Sequence, residues 1–522
     1  LGFLALAAIL VVYALQVTQS GSAVPGGLTD ARFNNVILEH LYVWSIGEAD
    51  SLWSPAFFYP TPGTLAFSDN HFGSGPVYVL LRLCGADREL AFTLWFLFGH
   101  LSTLLTTYYV LRQLNFNTIP AAVGALIFAL SSTMLIRTEH AQLVYRFATP
   151  LAFLFAWRFL ETGRIKHLSL LVIFGSWQFL CSVYLGVFLV FYLGAAFLFV
   201  LAISATREQV ISLLPRAIES SPRNDYLWLA LSSVFAAITL YMLAYYALTS
   251  SYYGFVRDPG IIFAQQPVLG SYLVADYSSL YRGLGQWVQD DFLRHEKQMF
   301  VGGVATLLFV FACFRRPKNQ TSIMLFYVSI GALAFLVLLT LRWPGGFTLY
   351  APFAYLPGFS SIRAVGRIIE VMLLPIAIIA AFGVQSLLSF SHRTLVHSGV
   401  AIVLFSGVWY ETINTRVYST PTALIDERKS GVMALVPSEL PEDAVLVYRE
   451  RPDPMPFVKT DIDAMILAQD LRRPVLNGYS GNFSPAYRAM RTCDDIVPTL
   501  AGTVWAARLS AEEANVLLDR LY

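Results

Sequence analysis

The sequence predicts an all-α polytopic membrane protein of about eleven transmembrane helices with a small α/β domain at its C-terminal end. Three observations carry that expectation. Hydrophobic residues make up 56% of the 522 residues and charged residues only 13%, against roughly 25% charged in soluble domains. The mean hydropathy of +0.58 comes from apolar runs of about 17–25 residues, the length that crosses roughly 30 Å of hydrocarbon. Finally, Lys and Arg gather in alternate connections between those runs, as the positive-inside rule requires.

Spans are expected near 1–17, 90–111, 118–136, 145–161, 168–182, 184–204, 227–247, 299–314, 322–341, 368–389 and 396–413. The chain opens inside an apolar run with neither Met nor a basic flank, so a preceding stretch is expected to be missing. The run reads as a retained helix rather than a signal peptide, since the following QVTQSGSAVPGG offers no clean cleavage site. With the first loop outside, the inner connections contain Arg112; Arg164, Lys166 and His167; Arg207, Arg216 and Arg223; Arg315, Arg316 and Lys318; and Arg393. That register leaves 18–89, 137–144, 248–298, 342–367 and 414–522 outside, and these segments hold almost all the Asp and Glu. The apolar stretch 72–84 is too short to span and reads as a re-entrant or interfacial helix. Spans 168–182 and 184–204 share a tight turn around Ser182 and form a close hairpin.

The near-neutral net charge of +1 argues against a nucleic-acid surface. Cys84, Cys181, Cys313 and Cys493 are isolated, so neither a zinc site nor a structural disulfide is expected.

The first outer loop is long, and long loops are usually functional. In TDARFNNVILEHLYVW the positions Phe33, Val36, Ile37, Leu41 and Trp44 repeat with helical period, which gives an amphipathic helix on the membrane surface. Asp30 stands in its first turn, where free N–H groups and the helix dipole favour a carboxylate; a helix cap and a catalytic group are both open readings. Asp69 and His71 sit where the chain re-enters lipid, as a turn or as functional groups. The outer turn RTEHAQLVYR offers Arg137, Glu139, His140 and Arg146, as a solvated ion-paired turn or as part of a site.

Loop 248–298 interleaves Tyr and Trp with Arg257, Asp258, Gln265, Asp276, Arg294, His295 and Glu296, as a sugar or head-group site does and as a membrane interface belt also does. Arg363 and Arg367, four residues apart before the tenth span, share one face if the helix has begun there. They read as a phosphate clamp or as snorkelling anchors. The segment 414–522 has charge throughout and no spanning run; AVLVYR reads as a strand and DIDAMILAQDL as a helix before the NGYSG turn. The expected domains are therefore a transmembrane unit, 1–413, and a soluble outer unit, 414–522, whose sequence reads as incomplete.

A first membrane helix, a long outer loop with an acidic residue on an interfacial helix, some ten further spans and an outer C-terminal domain resemble the GT-C superfamily of membrane glycosyltransferases. The strings GGLTDARFNNVILEHLYVW, SPAFFYP, LAFSDNH, GFSSIRAVGRI and NGYSG are similar to those of little-characterised bacterial polytopic proteins placed in that superfamily. The paired acidic signature typical after the first helix is replaced here by the single Asp30. The resemblance implies a multi-pass protein of the bacterial inner membrane with its C-terminal domain outside. It also implies inverting transfer of a sugar from a polyprenyl-phosphate donor to a glycan or lipid acceptor, with Asp30 as the base. Arg363 and Arg367 would bind the donor phosphate, where fixed cations favour the transition state. Asp69, His71, Glu139, His140, Arg146, Arg257 and Glu296 would follow in a second tier, positioning the acceptor or holding a divalent cation, although no set of them has metal-ligand spacing. The alternatives are a flippase or transporter of lipid-linked saccharide, an O-antigen polymerase or ligase, and a membrane scaffold. No paired discontinuous helices or internal repeat point to alternating access.

Overall fold

The computed structural model describes residues 2–203, 210, 217, 221–289, 292–356, 359, 362–449, 457–484, 487 and 493–522. Arg207 and Arg216 of one expected inner connection lie outside the described residues, as does the side chain of Cys493. The longer helices are α1 (Gly2–Val17), α2 (Asp30–Ser45), α3 (Gly75–Leu83), α4 (Arg88–Gln113), α5 (Thr118–Leu130), α6 (Ala148–Thr162), α7 (Ile165–Cys181), α8 (Val183–Ala202) and α9 (Asp225–Tyr253). They continue with α10 (Gly303–Phe314), α11 (Gln320–Thr340), α12 (Ile369–Leu388), α13 (Thr394–Ile413), α14 (Thr422–Met433), α15 (Phe457–Leu471), α16 (Ile496–Ala507) and α17 (Ala511–Asp519).

Every expected span coincides with a helix, and eight helical stretches are long and apolar enough to cross a membrane. The remaining three, α1, α7 and α10, are apolar but shorter, at 16, 17 and 12 residues. The chain is an all-α polytopic membrane protein. α3 has nine residues, too few to cross, and packs against α2.

At the centre stands α12, whose apolar residues run around its whole circumference and are almost all buried, as a helix without a polar face must be. It packs between α5 and α10. The small residues Ala377, Ala380, Ala381 and Gly383 let neighbouring backbones come close, the usual device where apolar burial alone cannot drive helix association. A Cβ on Gly383 would overlap the carbonyl oxygen of Leu308 in α10.

The connections sort to two ends. At one end Arg158 donates to the Gln113 carbonyl, Arg164 pairs with Asp225 at 2.9 Å, and Ser386 donates to the Arg315 carbonyl. These are the connections read as inner. The segments read as outer meet at the opposite end: β1 (Ala23–Pro25) pairs antiparallel with β2 (Ser419–Pro421), and the Thr138 hydroxyl accepts from the Tyr418 N–H. Helices α7 and α8 meet at Ser182, as the expected hairpin requires.

In the C-terminal segment, helices stand beside the strand-like AVLVYR. Among the described residues it has four α-helices, and AVLVYR is hydrogen-bonded on both sides, with parallel bridges from Val445 to Leu521 and from Leu446 to Val475. Val445 and Leu446 are buried, and Leu446 shares a core with Phe58, Ile462 and Met465. The segment also clasps the first loop. Arg32 of α2 pairs with Asp463 of α15 at 2.6 Å, Arg428 binds the same carboxylate, and Arg88 pairs with Asp470 at 2.9 Å.

Candidate active site

The first turn of α2 begins after Gly26-Gly27. A Cβ on Gly27 would overlap the Glu139 carboxylate, so glycine lets that side chain lie over the helix start. There Glu139 accepts from the Ala31 N–H and the Thr29 hydroxyl. Glu139, from a distant turn, is thus the cap of α2, and Thr29 at the N-cap position makes no side-chain cap of its own. Asp30 is left free for other partners. Its Oδ2 lies 3.3 Å from His140 Nδ1 and its Oδ1 accepts from the Tyr479 hydroxyl at 2.7 Å.

Beyond His140 the chain of polar contacts continues inward. His140 Nε2 is 3.1 Å from Glu296 Oε1, and Glu296 accepts from Arg367 through Nε at 3.1 Å and Nη2 at 2.5 Å. Gly366 permits this approach, since a Cβ there would come within 2.6 Å of the Glu296 carbonyl oxygen. Arg137 donates to the Glu296 and Gln298 carbonyls and pairs with Glu370 at 3.3 Å, and Glu370 pairs in turn with Arg146 at 2.9 Å. Asp30, His140, Glu296 and Arg367 therefore form one relay, drawn from four segments far apart in sequence. The Asp30 side chain keeps 32% of its surface accessible, while Glu296 keeps 8% and Arg367 7%. Asp30 is the open end of a closed chain.

The electrostatics follow from that geometry. Burial works against a charged Asp30, but the His140 hydrogen bond and charge, with the Tyr479 hydroxyl, outweigh it and hold the carboxyl at about 2. Burial and the Arg367 charge disfavour an imidazolium at His140, yet the Glu296 and Asp30 carboxylates prevail and raise its pKa. Burial likewise opposes a charged Glu296, and Arg367 and His140 reverse it, placing Glu296 well below the usual range. Burial and the Asp30 charge raise Glu139.

Other sequence candidates have different places. Asp69 caps α8: Oδ1 accepts from the Val183 N–H at 2.8 Å and Oδ2 from the Ser182 hydroxyl at 3.0 Å. His71 is buried under α2 with Nε2 2.7 Å from Asn34 Oδ1, and burial lowers its pKa to about 3. Arg146 lies in the membrane-embedded core with Glu370, away from Asp30. The expectation that Arg363 and Arg367 share a helical face needs correction. The chain at 362–364 is irregular, a 3₁₀ turn begins only at Val365, and α12 at Ile369. Arg367 is buried and paired with Glu296, whereas Arg363 is exposed and its backbone N–H donates to the Tyr184 hydroxyl. The Arg363 charge acts on Tyr479 and Arg257. Arg257, half-buried, donates through Nη2 to the Gly481 carbonyl and to Asn482 Oδ1. Arg363 is thus within electrostatic reach of Tyr479, and Arg257 of Arg363.

Two participants were not singled out from sequence as site residues. Tyr479 lies within NGYSG, where an aromatic flanked by glycine and serine was the available signal; Glu370 lies inside a span, where a lone carboxylate already signals a partner. Among the described residues no group of three or more His, Cys, Asp or Glu is arranged to hold a metal ion.

No family model matches the chain, and no curated protein sequence does. Among solved structures it is similar to the arabinofuranosyltransferase AftD from Mycobacteria, at 15% identity over 85% of this chain with a TM-score of 0.47. A mutant form of that enzyme gives 13% identity over 85% of this chain with a TM-score of 0.45. The chain spans only 29% and 30% of the length of those two structures.

Proposed function

We propose that this protein is a membrane glycosyltransferase that uses a polyprenyl-phosphate-linked sugar, with Asp30 as the base that receives the acceptor's proton. The observation that carries this reading is the state of Asp30: ionised, fixed by two donors, not spent on capping its helix, and partly accessible. The reading agrees with the GT-C resemblance of the sequence strings around these same residues.

In the proposed step the acceptor hydroxyl oxygen forms a bond to the anomeric carbon as the bond from that carbon to the donor phosphate oxygen breaks. Attack from the face opposite the phosphate inverts the centre. The hydroxyl proton passes to Asp30, and the bond electrons leave on the lipid phosphate. We assign Arg363, whose charge reaches Tyr479, to the charge that develops there, since fixed cations stabilise that charge more as it grows. Arg367 belongs to the relay: its fork holds Glu296, Glu296 holds His140, and His140 holds Asp30. We assign the Asp30 end to the outer face of the bacterial inner membrane, because the opposite end carries the basic connections.

Purified protein given a polyprenyl-phosphate sugar and a glycan or lipid acceptor should release the lipid phosphate and form the glycosidic product. Binding and transbilayer movement of the intact donor, without release of lipid phosphate, would favour a carrier and overturn the proposal.

A further inference from the structure

We infer that Tyr479 is a positioning residue for Asp30, so that the C-terminal segment is an integral part of the transfer site; this rests on the transferase reading above. An Asp carboxylate turns on a broad, nearly two-fold torsion. A single hydrogen bond leaves that rotation loose, whereas one donor at each oxygen fixes the plane. His140 stands at Oδ2 and the Tyr479 hydroxyl at Oδ1. Each carboxylate oxygen has two lone pairs, so a further lone pair on each stays free for an incoming hydroxyl at the accessible side.

Tyr479 is itself packed between aromatic rings, and the chain on both sides of it is anchored. Its ring meets Phe33 of α2 edge-on at 5.3 Å and Phe483 at 6.1 Å. Just before it, Asn477 accepts from the Tyr448 N–H and donates to the Tyr448 carbonyl and to Asp461 Oδ1, and the Gly478 N–H donates to the Tyr487 hydroxyl. Just after it, Arg257 grips Gly481 and Asn482. The same segment is fixed to α2 by Arg32–Asp463 and by the Gln469 amide, which donates to the Val36 carbonyl. Base and positioning hydroxyl are thus carried by two elements clamped together over their length.

The test has two arms on the full-length protein. Tyr479→Phe keeps the ring packing and removes only the hydroxyl. A lost hydrogen bond to a charged group should lower kcat roughly 10- to 100-fold and leave KM for the donor unchanged; a role limited to packing predicts no change in kcat, and that result overturns the inference. The second arm needs no activity. With 3-fluorotyrosine at position 479, the fluorine resonance should move on Asp30→Asn and stay on Asp69→Asn. A resonance indifferent to Asp30→Asn also overturns the inference. If the wild-type protein transfers no sugar, the transferase reading fails, while the fluorine arm still reports on the Tyr479–Asp30 contact.

Discussion

Removing the charge of Glu296 should destabilise this protein more than removing that of Asp30, although of the two only Asp30 is proposed to touch substrate. Glu296 keeps 8% of its side chain accessible and compensates two cationic partners, Arg367 through two hydrogen bonds and His140 through one. Glu296→Gln preserves one acceptor oxygen for Arg367 but turns an NH₂ group toward another donor. It also leaves a guanidinium buried without its counter-charge. Breaking a buried pair from one side costs about 3–5 kcal/mol. Asp30, with 32% of its side chain accessible, is screened by solvent, so Asp30→Asn should cost only about 1 kcal/mol.

The pH dependence follows with definite signs. Glu296 is depressed in the fold, so its contribution is present above the unfolded carboxyl range and lost as pH falls through its folded value. His140 is raised, so its contribution is complete below the unfolded histidine value near 6.5 and lost as pH rises through its folded value. In Glu296→Gln the alkaline loss should shrink, because the main carboxylate that raises His140 is gone. Reversible unfolding in mixed micelles between about pH 5 and 9, the window of the unperturbed His, measures the stability difference and the alkaline slope, while the acid loss of Glu296 lies below that window. Equal stability of Glu296→Gln and wild type, or an unchanged alkaline slope, would refute the relay.

Further expectations follow from the same contacts. Gly27→Ala should push the Glu139 carboxylate off the start of α2 and cost about 1–2 kcal/mol, as loss of a helix cap does, visible as a lower unfolding midpoint. Arg363→Lys should weaken donor binding by a few-fold and leave stability unchanged. Arg367→Lys should destabilise instead, since a point charge cannot replace the two-pronged contact with Glu296; calorimetry and donor titration separate the two, and the reverse pattern would contradict the assignment. Cysteines placed in 250–289 and 430–449 should label from outside intact cells and those at 316–320 should not; labelling of 316–320 would invert the topology.

The bundle was readable because bilayer thickness imposes run length, and the basic residues of the connections impose direction. The same physics made α3 legible as too short to cross. Asp30 stood out because the apolar period of α2 fixed where that helix starts. Its cap did not, since Glu139 comes from 110 residues away, and no local pattern records which of two carboxylates takes the free N–H groups. The Tyr479 contact spans 449 residues and depends on how the C-terminal segment docks. The shared face of Arg363 and Arg367 assumed helix where the chain is still irregular; Ala364, at φ −86° and ψ 71°, delays the helical start past Arg363. Glu296, the partner of Arg367, lies in a loop whose approach to the 3₁₀ turn before α12 rests on the absence of a side chain at Gly366.

Sugar transfer by Asp30→Asn tests the central claim most directly, measured beside Asp69→Asn as a buried carboxylate with a purely capping role. Asparagine keeps the shape of Asp30 and can still accept from Tyr479, but it cannot take the acceptor's proton. Turnover should fall by about 10²–10⁴-fold, the usual contribution of a positioned base, with donor binding retained. Asp69→Asn should lose stability and keep its turnover per folded molecule. Wild-type turnover in Asp30→Asn would contradict the account.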